Sequence, residues 1–229
     1  MSENTRPLGA PLGVFGGTFD PIHVAHLRLA QEALEACRLA TVRFIPAGQP
    51  PHRASPGATS ADRLAMARLA LAGCTQFELD EAEVLSEAPS YTVPTLERLR
   101  EQFGTERPLV LLLGMDAFLG LPGWHRWREL FDLAHIAVAT RPGHVMNFTS
   151  GDAKNAANRV ALAAEFAVRQ ASSPDAFLGV SAGRISHFAM TPLDISATAI
   201  RTVLAAGNSP RFLVPDGVLD YIEAHRLYR

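Results

Sequence analysis

The sequence predicts an α/β protein in which helices flank a doubly wound, mostly parallel β-sheet. Short segments of strand character alternate along the chain with longer segments whose apolar residues recur at helical spacing. One segment, residues 109–113, is apolar at every position, which is typical of a central strand buried on both faces. Ligands of such sheets bind beyond the carboxyl ends of the strands, so we expect functional residues in the loops that follow strands.

The first part of the chain is predicted to form a β-α-β unit after a loose N-terminal tail. Residues 1–11 carry two prolines and mostly polar or small side chains, and residues 12–229 are expected to form a single domain. Apolar strand segments and helical periodicity define the elements. They are strand 12–15, helix 25–37, strand 42–45 before a loop rich in Pro and Gly (46–57), and helix 60–72.

The second part of the chain continues the alternation. Its predicted elements are helix 94–102, strand 109–113, a helical stretch at 124–133, strand 134–139, and helices 152–170, 195–206 and 218–225. Gly143 and Pro174 bound the longest of these helices, so we expect a helical excursion over about 144–180. The short helices that close the chain belong to a C-terminal helical part, residues 195–229.

Composition and charge favour a globular protein that binds small oxyanions. The formal net charge of −2 disfavours broad electrostatic binding to nucleic acid. Lys154 is the only lysine, so the fixed cations are nearly all arginines, whose guanidinium suits phosphate and carboxylate. No apolar run approaches the roughly 20 residues that span a bilayer, so we expect no membrane insertion and a cytoplasmic location. Cys37 and Cys74 stand among Ala and Leu and are expected to be buried thiols.

Two adjacent glycines, Gly16 and Gly17, follow the first predicted strand. A residue without Cβ lets backbone amides approach a phosphate or a ring, although a tight strand-to-helix turn explains the pair equally well. Neither the Gly-x-Gly-x-x-Gly fingerprint nor a Walker-type phosphate loop occurs in the sequence. A phosphate ligand would therefore be held by another arrangement.

Two histidines, His23 and His26, stand three residues apart where Pro21 helps to start a helix. Imidazoles on one helix face beside four unpaired backbone N–H groups would form an electropositive pocket of phosphate size. A zinc pair and simple capping are alternatives, although no third zinc ligand occurs at a recognisable spacing. The pair is therefore a candidate phosphate site.

A second helix start lies at residues 194–201, Asp-Ile-Ser-Ala-Thr-Ala-Ile-Arg. Ser196 and Thr198 place hydroxyls near the first free amides, and Arg201 adds a guanidinium one turn later. Alone, this pattern is more typical of a helix cap with a solvated arginine. Two anion-suited helix starts in one chain nevertheless favour a polyphosphate ligand.

Further candidates follow the apolar strand 109–113. Asp116, after Gly114, could bind ribose hydroxyls or a metal, and Trp124 could stack on a flat ring; an N-cap and core packing are the alternatives. Trp127 is expected in the core. The loop segments 50–53, 90–92 and 141–143 carry donors or rigid turns, and each alone is more typical of structure than of function.

Taken together, these segments resemble the bacterial nicotinate-nucleotide adenylyltransferases of the nucleotidyltransferase superfamily. The superfamily motifs H-x-G-H and I-S-S/A-T-x-I-R are matched by GGTFDPIHVAH (16–26) and ISATAIR (195–201). IPAGQPPHR (45–53), APSYT (88–92) and LLGMD (112–116) with Trp124 point to the nicotinate-nucleotide branch. RPG (141–143) and the C-terminal YIEAHRLYR (221–229) match as well, so the resemblance covers nearly the whole chain.

The resemblance implies a Rossmann-like nucleotidyltransferase fold and transfer of AMP from ATP to nicotinate mononucleotide. The products are nicotinate adenine dinucleotide (deamido-NAD) and pyrophosphate, in NAD biosynthesis. The acceptor phosphate would attack the α-phosphorus directly and in line, and Mg²⁺ would be carried by ATP. The implied partners are small molecules, neither nucleic acid nor a membrane, and an oligomer is compatible with the sequence.

The resemblance also assigns residues to this reaction. His23, His26 and Arg201 would act catalytically on the phosphates around the reacting centre. ATP would further contact Gly16, Gly17, Thr18, Phe19, Gly114, Asp116, Ile195, Ser196 and Thr198. The pyridine nucleotide would contact His52, Arg53, Ser90, Tyr91, Thr92, Trp124 and Arg141, with Trp124 stacked on the ring and the backbone around Thr92 receiving its carboxylate. No metal ligand from the protein is implied.

Two positions depart from the family pattern, and several alternatives stay open. Ala25 replaces the glycine of H-x-G-H, and residues 93–95 lack an Asp that many relatives carry there. The alternative acceptors are nicotinamide mononucleotide and, disfavoured by PSYT and Trp124, a pantetheine phosphate. Chain length and the solitary lysine disfavour a class I aminoacyl-tRNA synthetase. A non-catalytic nucleotide-binding regulator is the alternative from another class of protein.

Overall fold

A six-stranded, entirely parallel β-sheet forms the centre of the protein. The computed structural model describes residues 9–51, 56–140, 148 and 156–229. The strands are β1 (Leu12–Gly17), β2 (Thr41–Pro46), β3 (Phe77–Leu79), β4 (Leu109–Gly114), β5 (His135–Thr140) and β6 (Ile185–Ala189). They lie in the order β3-β2-β1-β4-β5-β6, and each neighbouring pair runs parallel. The predicted doubly wound sheet is thereby confirmed.

The strand order changes direction beside β1, and this placement creates a crevice. On one side β1 pairs with β2, where Gly17 lies opposite Pro46, and on the other side it pairs with β4. The connections that leave β1 and β4 therefore diverge to opposite sides of the sheet at their carboxyl ends. Such a switch point is where doubly wound sheets bind their ligands.

Helices cover both faces of the sheet. They are α1 (Val24–Ala36), α2 (Ser60–Leu71), α3 (Thr92–Phe103), α4 (Met115–Leu119), α5 (Leu130–Leu133), α6 (Ala156–Arg169), α7 (Ala197–Ala205) and α8 (Asp216–Ala224). Along β4, Val110 and Leu112 join a core with α1, α2, α7 and α8, whereas Leu109, Leu111 and Leu113 join a second core with α3, α5 and α6. Alternate residues of one strand thus supply both cores.

Four features differ from the sequence predictions. The strands β3 and β6 were not predicted, and neither was the short helix α4. The predicted helical stretch 124–133 begins only with a 3₁₀ turn at Trp127–Glu129, because Trp124 is extended and Arg126 has a φ of 54°. Residues 1–8 of the predicted tail, and residues 144–147 and 149–155 of the predicted excursion, lie outside the described residues.

The two cysteines have different environments. Cys37 is buried as predicted, and burial raises the pKa of its thiol to about 12. Cys74 is exposed, so its predicted burial was wrong: it lies in the turn that follows α2. Trp127 is buried as predicted. Among the described residues no helix is both long and apolar enough to cross a membrane.

Candidate active site

A cavity of about 1130 Å³ opens at the carboxyl edge of the sheet, beside β1 and β4. The loop after β1, the start of α1, the loop after β4 and the segment that starts α7 all contribute to its wall. Its lining includes every residue predicted to act on ATP: Gly16, Gly17, Thr18, Phe19, His23, His26, Gly114, Asp116, Ile195, Ser196, Thr198 and Arg201. Two motifs that lie far apart in the sequence therefore share one cavity.

Packing within the protein requires glycine at some positions of this cavity and not at others. A Cβ on Gly17 would lie 2.9 Å from the ring of Phe19, so packing within the loop excludes a side chain there. A Cβ on Gly16 would approach nothing closer than 4.0 Å, and one on Gly114 would have no neighbour within 4 Å. Protein packing therefore does not require Gly16 or Gly114, whereas a ligand that approaches the backbone closely would.

The two histidine rings of the first motif stack on each other at the start of α1. Their centroids are 3.6 Å apart with 22° between the ring planes, and Nδ1 of His26 accepts a hydrogen bond of 3.2 Å from the backbone N–H of His23. His23 is buried, and burial lowers the pKa of its imidazole to about 4. Nδ1 of His23 is also buried, with no hydrogen-bond partner among the described residues. A group of this kind is suited to a ligand that brings negative charge.

The N-terminus of α1 offers fewer free amides than the sequence predicted. Besides the His23 amide, the N–H of Val24 donates to the carbonyl of Leu213 at 2.9 Å, and that of His26 donates to the carbonyl of His23 at 2.9 Å. We find no acceptor for the Ala25 amide among the described residues. The predicted set of four unpaired amides was therefore wrong, because the ring of His26 and two backbone carbonyls accept hydrogen bonds from three of them.

The start of α7 brings hydroxyls and a guanidinium to the same cavity. Ser196 is the N-cap residue, and its Oγ accepts a hydrogen bond of 3.2 Å from the amide of Ala199. Arg201 donates through Nη1 to the backbone carbonyl of Asp20 at 2.7 Å and through Nη2 to Oγ1 of Thr198 at 3.4 Å. These contacts fix one edge of the guanidinium while the residue still lines the cavity.

Asp20 connects the two motifs, and we did not predict it as a site residue. Its carboxylate is buried and accepts hydrogen bonds from the amides of Gly57 at 2.8 Å and Ala58 at 3.1 Å, and from the hydroxyl of Tyr228 at 2.8 Å. Oδ2 also lies 3.5 Å from Nη1 of Arg201. In the sequence the residue stands within GGTFDPIHVAH as an Asp-Pro pair, which is typical of a turn and carries no signal of its distant partners.

Arg63 joins the loops that follow β1 and β2, and it too was not predicted. The side chain is almost fully buried and donates to the carbonyls of Thr18 at 2.7 Å, Ala47 at 2.6 Å and Gly48 at 3.0 Å. A buried guanidinium is stable when carbonyl groups surround it in this way. Its position inside the helical pattern of α2 gave no sign of this role.

Most residues predicted to bind the pyridine nucleotide form a second group around the start of α3. Tyr91 is the N-cap of α3 and Thr92 its first residue, and the Tyr91 ring lies 4.5 Å from that of His125, next to Trp124. Oγ of Ser90 accepts hydrogen bonds from the amides of Gly48 at 2.9 Å and Gln49 at 3.2 Å. None of Ser90, Tyr91, Thr92 and Trp124 belongs to the described lining of the large cavity.

Glu83 stabilises the group of residues around the start of α3 through hydrogen bonds. Its carboxylate accepts a hydrogen bond of 2.5 Å from the hydroxyl of Thr95 and also bonds to Ser90, and burial raises its pKa. A Cβ on Gly48 would come within 2.0 Å of the Glu83 carbonyl, so only glycine fits there. The segment around residue 90 is therefore fixed firmly to the loop after β2.

A smaller cavity of about 550 Å³ lies between this group and the large cavity. Gly48, Gln49 and Pro89 line it, together with Arg63, and it shares Pro56 and Gly57 with the lining of the large cavity. The two predicted binding regions are therefore neighbours in space. His52, Arg53 and Arg141, which we predicted to contact the pyridine nucleotide, lie outside the described residues.

Comparison with known proteins identifies the family. The model of the cytidylyltransferase-like family matches residues 14–203. A protein of Dechloromonas aromatica named probable nicotinate-nucleotide adenylyltransferase is 53% identical over 222 residues, which are 97% of this chain and 99% of that protein. The chain belongs to the nicotinate-nucleotide adenylyltransferase family. A relative of the same name from Pseudomonas entomophila is 47% identical over 95% of this chain and 94% of its own.

Solved structures support the fold of this nicotinate-nucleotide adenylyltransferase family member. The nicotinic acid mononucleotide adenylyltransferase of Plasmodium falciparum, solved in complex with NaAD, superposes with a TM-score of 0.68 at 15% identity. The same protein in complex with APC gives a TM-score of 0.66 at 14% identity. Each alignment covers 96% of this chain and 97% of the other. The predicted resemblance and the Rossmann-like fold are therefore confirmed.

Proposed function

We propose that the protein transfers AMP from ATP to nicotinate mononucleotide, giving nicotinate adenine dinucleotide and pyrophosphate in NAD biosynthesis. The observation that carries this proposal is the single cavity into which both superfamily motifs converge, so that His23, His26 and Arg201 line the same space. The names of relatives that are about half identical over nearly the whole chain support the same reaction. We place it in the cytoplasm, where ATP is available and the free thiols of Cys37 and Cys74 would persist.

The reaction is a direct displacement at the α-phosphorus of ATP. An oxygen of the acceptor's 5′-phosphate forms a bond to the α-phosphorus, and the bond from that phosphorus to the α–β bridging oxygen breaks. The electron pair of the broken bond leaves with pyrophosphate. Because the attacking phosphate is already ionised, no general base is needed, and the protein contributes positioning and charge stabilisation.

His23 and His26 act on the phosphates around the reacting centre. A phosphate beside His23 would supply the hydrogen-bond partner that Nδ1 lacks among the described residues and would raise the imidazole pKa from about 4, which favours the cation. The Ala25 amide, at the motif's glycine position, adds a further donor at the helix start. Negative charge that develops in the transition state is stabilised by these fixed donors.

The start of α7 binds the leaving pyrophosphate. Oγ of Ser196 accepts from the Ala199 amide, which leaves its own proton to donate to a phosphate oxygen. Thr198 and Arg201 add a hydroxyl and a guanidinium on the same wall. Arg201 donates to the Asp20 carbonyl through Nη1 and to Thr198 through Nη2, and its other N–H groups serve the ligand.

The adenosine part lies over the glycines at the ends of β1 and β4. The open space above Gly16 and Gly114 admits a ring or ribose close to the backbone. Asp116, exposed in the cavity, accepts hydrogen bonds from ribose hydroxyls. Further contacts come from Gly17, Thr18, Phe19 and Ile195.

The pyridine nucleotide binds beside the start of α3 and the small cavity. Its carboxylate accepts hydrogen bonds from backbone N–H groups around Thr92, the first residue of α3, where the helix dipole favours an anion. Trp124 stacks on the ring, and Ser90 and Tyr91 shape the pocket. His52, Arg53 and Arg141 contribute to phosphate or carboxylate binding. This placement sets the acceptor phosphate near the large cavity, because the two cavities share Pro56 and Gly57.

A divalent metal, Mg²⁺, would accompany ATP and would neutralise charge on its phosphates. Among the described residues no three His, Cys, Asp or Glu side chains come together to hold a metal. The hydroxyls and cations of the cavity suit phosphate oxygens, which, with water, are the usual ligands of Mg²⁺ in such sites. The ion would thus be carried mainly by the phosphates of the nucleotide.

Label transfer tests the proposed reaction. Purified protein is incubated with Mg²⁺, nicotinate mononucleotide and ATP labelled at the α-phosphate, and the products are identified by mass. We expect the label in nicotinate adenine dinucleotide and none in pyrophosphate. Tight ATP binding without any product would instead favour the non-catalytic nucleotide-binding regulator.

A further inference from the structure

The penultimate residue of the chain returns to the edge of the active-site cavity. Tyr228 follows α8 with a φ of 64° and places its hydroxyl 2.8 Å from Oδ1 of Asp20. Burial and the Asp20 carboxylate raise the pKa of this hydroxyl, so it is a permanent donor. Its ring also packs against Gly57, where an added Cβ would lie 3.0 Å from Cδ1. Nothing in the proposed reaction so far uses this residue.

The Tyr228 hydroxyl completes the set of donors around Asp20. Oδ2 accepts from the Gly57 amide, and Oδ1 accepts from the Ala58 amide and from Tyr228. The same Asp20 holds Arg201 through its backbone carbonyl at 2.7 Å, and its carboxylate lies 3.5 Å from the guanidinium. Gly57 and Arg201 both line the cavity. The carboxylate of Asp20 therefore contacts two residues of the cavity lining.

We propose that Tyr228 is a positioning residue, which sets the geometry of Arg201 and of the segment at Gly57 through the carboxylate of Asp20. The proposal rests on the proposed function, since that function gives Arg201 its role on the leaving pyrophosphate. A buried carboxylate that has three good donors holds its position and needs no further cation. Without the hydroxyl, Oδ1 keeps one donor, and Asp20 draws the guanidinium of Arg201 away from the ligand.

The chain offers a matched control in Tyr221. Its hydroxyl donates to Oδ1 of Asp62 at 3.0 Å, so it also ties the C-terminal part to an earlier carboxylate. Asp62 is in α2 and belongs to the described lining of neither cavity. Tyr221→Phe therefore removes the same kind of bond without touching Asp20 or Arg201.

The test compares wild type, Tyr228→Phe and Tyr221→Phe in steady-state turnover and in pyrophosphate binding by titration calorimetry. For Tyr228→Phe we expect kcat to fall about tenfold and the Kd of pyrophosphate to rise about fivefold, with the KM for nicotinate mononucleotide changed less than about twofold. We expect Tyr221→Phe to leave all three constants within about twofold of their wild-type values. We expect the two variants to lower the melting temperature by similar amounts. Equal kinetics in the two variants would overturn the proposal.

A double-mutant cycle separates positioning from general stability. If Tyr228 acts through Arg201, the effects of Tyr228→Phe and Arg201→Lys on kcat are non-additive, whereas those of Tyr221→Phe and Arg201→Lys add. Additive effects in both cycles would contradict the proposal.

Two further readouts keep the proposal testable if turnover or folding fails. Should wild type bind pyrophosphate without adenylyl transfer, the proposed function is wrong, yet the Kd values of the two variants still decide the role of Tyr228. Should Tyr228→Phe not fold, hydrogen exchange of wild type serves instead. Because coupling is reciprocal, pyrophosphate should slow exchange in residues 226–229, and unchanged exchange there would overturn the proposal.

Discussion

The imidazole of His23 is buried, and its Nδ1 has no hydrogen-bond partner among the described residues. Both properties affect how this side chain would bind a phosphate. Burial holds its pKa near 4 in the ligand-free protein, so the ring is neutral at neutral pH. In the proposed reaction, a phosphate beside His23 would supply the opposite charge that reverses this shift. The imidazole would then become a cation only when the substrate is bound, next to the stacked ring of His26.

Replacing His23 by alanine should lower kcat/KM by at least about 100-fold, because lost transition-state charge stabilisation is typically worth a few kcal/mol. Steady-state turnover and a melting curve of the variant provide the measurement. His187→Ala, at an exposed position of the edge strand β6, is the control and should turn over like wild type. Near-normal turnover of a folded His23→Ala protein would remove His23 from the catalytic set.

Replacing Trp124 by alanine should raise the KM for nicotinate mononucleotide more than the KM for ATP. Stacking of an aromatic pair is worth about 0.5–1.5 kcal/mol beyond area burial, which corresponds to roughly 2- to 10-fold. The KM for ATP serves as the internal control, since Trp124 is outside the described lining of the large cavity. Equal changes in both constants would refute the stacking role.

At the scale of elements, the active site depends on how firmly the loops after the strands are fixed to each other. Arg63 of α2 binds the carbonyl of Thr18 in the loop after β1 and those of Ala47 and Gly48 in the loop after β2. Ser90 then bonds the second of these loops to the segment before α3. One guanidinium and one hydroxyl thus connect the loop after β1, which lines the large cavity, to the segment before α3.

Replacing Arg63 by methionine should lower the free energy of unfolding by about 3 kcal/mol, because it leaves three partly buried carbonyls without the donors of an almost fully buried guanidinium. Chemical denaturation measures this loss. Arg68→Met is the matched control: Arg68 is on the same helix but exposed, and its surface ion pair with Glu81 should contribute less than about 1 kcal/mol. A smaller loss for Arg63→Met than for Arg68→Met would contradict the proposed connection.

Element prediction succeeded where periodicity was strong and failed where segments were short. The apolar run of β4 and the helical pattern of α1 both signal their structure locally. The strand β3 has only three residues, and β6 alternates polar and apolar residues at an edge, so pairing with a neighbouring strand defines them. Trp124 stays extended because Leu121–Gly123 forms its own 3₁₀ turn before it.

At the scale of the whole molecule, stability should depend on pH through a fully buried histidine. His135 in β5 donates from Nε2 to the carbonyl of Val180, 2.9 Å away, and its Nδ1 accepts from the amide of Arg184 at 3.1 Å. Because Nδ1 is an acceptor, the ring is neutral with its proton on Nε2. Burial lowers its pKa to about 4.

The free energy of unfolding should therefore fall by about 2 kcal/mol between pH 7 and pH 5 on account of His135. The unfolded chain, with an ordinary histidine pKa near 6.5, takes up a proton in this range while the folded chain does not, so acid favours unfolding. Denaturation at both pH values gives the slope. It should be smaller in His135→Gln and unchanged in His187→Gln; equal slopes in all three proteins would show that His135 does not carry the effect.

The family and the residues that line the large cavity could be predicted because short motifs carry them. GGTFDPIHVAH and ISATAIR each start a helix, and the sheet brings both starts to one edge. The residues that hold the loops of the cavity in place could not be predicted. These residues, Asp20, Arg63 and Tyr228, bind partners that are far away in the sequence. The same limit applies to the amides of α1, one of which donates to the distant Leu213.

The most direct test of the account is kcat/KM for pyrophosphate release with Mg-ATP and, separately, nicotinate mononucleotide, nicotinamide mononucleotide and phosphopantetheine. We predict an advantage of at least about tenfold for nicotinate mononucleotide, because amides at the start of α3 favour a carboxylate over a neutral amide. Comparable use of both pyridine nucleotides would contradict the carboxylate pocket at Thr92. No turnover with any acceptor would contradict the central claim that this cavity performs adenylyl transfer.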